Sequence, residues 1–186
     1  MTEHDVIQKC VEILAGGGVI LCPADTIASL SCDATNAKAV ERIFEIKNRP
    51  AEKSVIVLVD SIEMLRRYTH EFPPLALEHL SNSTKPLTMI LPGSKKLASN
   101  IGALDKSVGF RIPSKGFIHT LVRTFRKPIV STSANFSGMP APVAVSDADE
   151  KIKSTVDYLV DLPPQGDTPS TIIKYFSDNT HEIIRP

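Results

Sequence analysis

Apolar residues recur along this chain with two periods, and the switches between them mark out its elements. Val6, Ile7, Cys10, Val11 and Leu14 share one face at helical spacing, which predicts a helix over residues 3–15 stopped by "GGG" at 16–18. "VILC" then predicts a buried strand that ends at Pro23. Helical period returns in "NAKAVERIFEIKNRP", where Asn36 is a cap, Val40, Ile43, Phe44 and Lys47 line up, and Pro50 forces an end. "SVIVLVD" is the clearest strand signal. "SIEMLRRY" and "PPLALEHLS" predict short helices, "LTMIL" and "VGFRIP" strands, "KGFIHTLVRTF" a helix and "KPIVST" a strand. "STIIKYF" and "HEIIRP" in the tail are two more candidates, and "GMPAPVAVSDADEK" reads as a mobile connection. Strands and helices are interspersed without a strict βαβ repeat. The class implied is α/β, a mixed sheet with flanking helices, with residues 1–186 as a single domain.

Composition narrows the function classes. Twenty-one Lys and Arg balance 21 Asp and Glu, so no overall field recruits nucleic acid or anionic membrane. Cys10, Cys22 and Cys32 are odd in number and lack CxxC spacing, which argues against a disulfide scaffold. The N-terminus carries acids and no apolar signal core, and no apolar run approaches the ~20 residues of a membrane span. A cytoplasmic location follows as the expectation.

The chemistry-bearing motifs are mostly absent. There is no GxxxxGK[ST], no GxGxxG and no GxSxG, and the five histidines show no metal-ligand spacing, so no metal site is assigned. Two stretches remain. "KNRPAEK" places Lys47, Arg49 and Lys53 around a stiffening proline, as either a solvated helix end or a grip for phosphate or carboxylate. "STSANFSG" at 131–138 gathers hydroxyls and an amide, either as turn residues or as hydrogen-bonding groups around a ligand. No residue stands out as a general base.

"PADTIASLSCDATNAKAVERIFEIKNRPAEKS", "KPLTMILPG", "GFRIP", "STSANFSG", "PSTII" and "IIRP" occur in the order and rough spacing of one family. The chain resembles the YrdC/Sua5 family of threonylcarbamoyl-AMP synthases from near residue 10 to its last residue. The resemblance implies a twisted sheet with a concave, basic cavity. The implied enzyme is a nucleotidyltransferase that joins L-threonine, bicarbonate or carbon dioxide, and ATP with release of pyrophosphate. It would serve threonylcarbamoyladenosine formation in transfer RNA, with a downstream threonylcarbamoyl transferase as partner and Mg2+ carried by the nucleotide. It assigns Lys47, Arg49, Lys53, Ser133, Asn135 and Arg185 to ATP and its phosphates, and Thr26, Arg111, Ser131 and Ser170 to threonine. Ala28 and Ser29 stand where the family usually has Tyr-Gly, and Leu58 where many members carry a polar residue, which predicts a wider, less polar amino-acid end. The alternatives are a factor that binds transfer RNA or double-stranded RNA for translation or ribosome maturation, and a paralogue with another amino-acid substrate.

Overall fold

The computed structural model describes residues 2–48 and 55–186. Helix α1 (Glu3–Ala15) starts in a capping box: the Thr2 hydroxyl accepts from the Asp5 amide at 3.3 Å, and the Asp5 carboxylate accepts from the Thr2 amide at 2.8 Å. It buries Val6, Ile7, Cys10 and Leu14, the stripe visible in the sequence. Strands β1 (Ile20–Pro23) and β2 (Ala28–Asp33) follow, then α2 (Ala37–Ile46), which is capped by the Asn36 amide oxygen on the Lys38 and Ala39 amides. Next come β3 (Ile56–Leu58), α3 (Ile62–Tyr68), α4 (Pro74–Asn82), β4 (Leu87–Leu91), β5 (Val108–Arg111), α5 (Gly116–Phe125) and β6 (Ile129–Ser133). The chain closes with α6 (Glu150–Lys153), β7 (Tyr158–Leu159), β8 (Thr171–Tyr175) and β9 (His181–Arg185).

Among the described residues the strands form one twisted sheet in the order β7-β1-β2-β6-β3-β5-β4-β8-β9. The pairs β1–β7, β3–β5 and β4–β8 are parallel and the other five antiparallel, so the sheet is mixed as the sequence implies. Helices α1 and α5 pack on each other and on β1, and α2 lies along β2.

Three elements escape the sequence pattern. In β2, "ASLSCD", two serines and an aspartate interrupt the apolar run, yet all six residues are buried. It is a strand because β1 and β6 satisfy its backbone on both sides, and this tertiary pairing outweighs weak local propensity. Helix α6 and the short β7 were equally unsignalled. The connection at 138–151 is largely exposed but tied down at three points: the Val143 carbonyl accepts the Ala28 amide at 3.0 Å, and Val145 and Ala148 are buried.

Candidate functional site

Register sets one face of the sheet. Cross-strand partners point the same way, so Ile129, Leu58, Arg111, Thr88, Ile172 and Arg185 form one row across β6, β3, β5, β4, β8 and β9. Ser131, Ile56, Gly109 and Ile90 form the next row on the same face. Over these rows lies a cavity of ≈ 360 Å³, closed at one end by Thr26, Ser29 and Ser133 and at the other by Ser170 and Arg185. Gly109 lies beneath it, where the missing side chain leaves room.

The ionisable side chains among the described lining residues are Arg111 and Arg185, and none of those residues carries a carboxylate. Arg111 is buried, and its Nη2 pairs with Asp25 Oδ1 at 2.9 Å, with the two side chains only 4% and 8% exposed. Burial pushes the Arg111 guanidinium below its ordinary value, the Asp25 charge opposes that shift, and the nearby Arg185 charge adds to it. Arg111 Nε is buried with no hydrogen-bond partner among the described residues. Arg185 donates to the Ser170 carbonyl from Nε at 2.9 Å and from Nη2 at 2.7 Å, and the Ser170 hydroxyl shares a 2.8 Å hydrogen bond with Thr88. Burial also lowers the Arg185 value. Two guanidiniums and a ring of hydroxyls, with Asp25 turned to neutralising Arg111, suit an anionic ligand rich in oxygen.

Of the residues singled out from sequence, Thr26, Arg111, Ser131, Ser133, Ser170 and Arg185 line this cavity together. Arg49 and Lys53 lie outside the described residues. Lys47 and Asn135 stand behind the lining: Lys47 is 1% exposed, and its Nζ donates to the carbonyls of Ser133 and Asn135 and to Asn135 Oδ1. Ala28 and Leu58 are fully buried and do not line the cavity, whereas Ser29 does. Sequence reasoning missed Thr88, which sits inside the quoted block "KPLTMILPG", and Asp25, which adjoins Thr26 but carries no signal of its own. A second hollow of ≈ 870 Å³ contains Asp25, Lys85 and Lys115 but none of the six clustered residues. The two hollows share Pro169. The segment before that proline is held close: a Cβ on Gly166 would stand 2.3 Å from the Asp25 carbonyl oxygen, so the position excludes any side chain.

A profile of the Sua5/YciO/YrdC family, described as telomere recombination, matches residues 12–186. The chain belongs to the Sua5/YciO/YrdC family. A protein of Pseudoalteromonas translucida named threonylcarbamoyl-AMP synthase is 32% identical over 176 residues, covering 92% of this chain and 94% of that one. A protein of the same name from Psychromonas ingrahamii is 32% identical over 179 residues, covering 92% and 93%. Among solved structures, P. abyssi Sua5 complexed with L-threonine superposes with a TM-score of 0.88 at 27% identity. That match takes in all of this chain but only 55% of the Sua5 chain, so this chain spans about half its length. E. coli YciO superposes with a TM-score of 0.86 at 26% identity, covering 99% of this chain and 89% of that one. No helix among the described residues is long and apolar enough to cross a membrane.

Proposed function

We propose that this family member is a threonylcarbamoyl-AMP synthase, built as one YrdC-like domain over residues 1–186. The observation that carries the reading is the convergence of Arg111, Arg185 and seven hydroxyl-bearing residues (Thr26, Ser29, Thr88, Ser131, Thr132, Ser133 and Ser170) on one cavity with no carboxylate among its described lining residues. Its volume lies in the range of small-molecule sites, roughly 300–1,000 Å³. The relatives named for this activity, and Sua5 with threonine bound, supply the substrate class.

In this reading the threonine amine takes up carbon dioxide to form a carbamate and gives up a proton. A carbamate oxygen then attacks the α-phosphorus of ATP, and pyrophosphate leaves with the electrons of the broken P–O bond. Bicarbonate serves after losing water. The side chains bind and orient, and they neutralise charge that grows at phosphorus, which is where such a site gains most. Arg111, anchored on one edge by Asp25, faces the amino-acid carboxylate. Arg185 and Ser133 face the nucleotide, while Thr26, Ser131 and Ser170 surround the amino acid. Mg2+ would arrive on the phosphates of ATP; the hydroxyl and guanidinium lining offers it no ligand set, and no group of three or more His, Cys, Asp or Glu that could hold a metal occurs among the described residues. The product would pass to a transferase acting on transfer RNA.

The test is pyrophosphate release from ATP and bicarbonate across a panel of amino acids. Release that requires threonine and bicarbonate together supports the reading. Activity with another amino acid alone would move the chain to a different substrate, and no release with any of them would overturn the proposal.

A further inference from the structure

Lys47 is the residue that a sequence reader gives to phosphate, and its surroundings point elsewhere. It closes α2 at the position where Val40, Ile43 and Phe44 continue as a buried stripe, and like them it is buried. Its ammonium has three donors. Three oxygens of the loop after β6 accept from it: the Ser133 carbonyl, the Asn135 carbonyl at 2.7 Å and Asn135 Oδ1 at 3.2 Å. The Lys47 carbonyl in turn accepts the Ser137 amide at 2.9 Å, so one residue grips the loop from both of its ends.

This grip fixes a polarity. Asn135 Nδ2 donates to the Met139 carbonyl, and its Oδ1 faces the ammonium. The reversed amide would set an NH2 group against a positive charge. With Oδ1 turned inward, the Ser133 hydroxyl spends its hydrogen on it at 2.5 Å. Ser133 lines the cavity, and what it has left to offer there is lone pairs. A fully ionised phosphate oxygen has no hydrogen to give such an acceptor, whereas a hydroxyl or amine of the nucleoside does.

Resting on the nucleotide reading above, we propose that Lys47 is a positioning residue of the nucleoside subsite. Through Asn135 it holds Ser133 as a hydrogen-bond acceptor for a neutral donor of the ligand, a ribose hydroxyl or the base amine. It acts on nucleoside affinity whether or not phosphates are present.

Calorimetric titration of adenosine, AMP and ATP into wild type, Lys47→Met, Asn135→Ala and Ser133→Ala separates the roles. All three variants should lose affinity for adenosine and for ATP by the same factor, about tenfold. Loss for ATP with adenosine unchanged would make Lys47 a phosphate ligand and overturn the proposal. If Lys47→Met does not fold, Asn135→Ala still decides, because it leaves the lysine in place: unchanged adenosine affinity there refutes the relay. Inosine and the deoxyadenosines tell the amine from the ribose hydroxyls, since Ser133→Ala should cost nothing further for the analogue that lacks the group in question; a loss undiminished for every analogue would overturn the donor assignment. Wild-type protein that binds no adenine compound at all would instead overturn the nucleotide reading itself.

Discussion

Removing Asp25 should strand the buried charge of Arg111, and Asp25→Ala makes the case quantitative. The substitution leaves the Arg111 guanidinium in place, 4% exposed, without the carboxylate now 2.9 Å away. Arg111 also has an Nε without a partner among the described residues, so little remains nearby to satisfy the stranded charge. Breaking a buried pair by deleting one member costs about 3–5 kcal/mol, because the survivor keeps its desolvation penalty and loses its attraction. For a chain of this size each kcal/mol moves the melting temperature by roughly 2–4 °C, so a fall of roughly 10 °C is expected. Total stabilities run to about 5–15 kcal/mol, so the variant should still fold at room temperature. Differential scanning calorimetry and urea unfolding read the change. The double variant Asp25→Ala/Arg111→Met removes the stranded charge and should regain part of the loss. A fall of less than about 2 °C for the single variant, or a double variant lower than the sum of the two singles, would refute the view that this pair is a coupled buried unit.

Gly166→Ala should lower stability by about 1–3 kcal/mol, the usual cost of forcing extra volume into a packed contact, since its Cβ would meet the Asp25 carbonyl oxygen at 2.3 Å. It should also weaken amino-acid binding by shifting Asp25 and Thr26; wild-type melting and affinity in this variant would disprove the close contact. Tyr175 shares a 2.9 Å hydrogen bond with His79 Nδ1, and burial pushes its phenol up to about 12. A raised folded value means a contribution fully present below the unfolded value of about 10 and lost as pH climbs from there towards 12. Urea unfolding between pH 8 and 11.5 should therefore fall less steeply for Tyr175→Phe than for wild type, and parallel curves would contradict it.

How much of this was legible beforehand depends on the range over which each residue acts. The stripe of α1, the Asn36 cap of α2 and the largely apolar runs of β3, β4 and β8 act within a few residues, so periodicity and capping chemistry predict those elements. Six of the ten candidate site residues were placed in one cavity because the family blocks that contain them were recognisable as blocks. Strand order, by contrast, is a matter of pairing between segments far apart in the chain. It takes the register of β5 with β3 and β4 to set Arg111 beside Thr88, and the return of β9 on β8 to bring Arg185 into the same row. Asp25 illustrates the limit, because a carboxylate beside a threonine says nothing until a guanidinium 86 positions later is folded against it. Lys47 illustrates it from the other side. Its place on the apolar stripe of α2 was plain in the sequence, but a lysine there reads as an exposed cation until β6 lays the carbonyls of Ser133 and Asn135 over its ammonium. Local sequence determined which segments are helix or strand; the pairing of distant strands determined which charges meet, because burial and partnership are properties of the assembled sheet and not of any one segment.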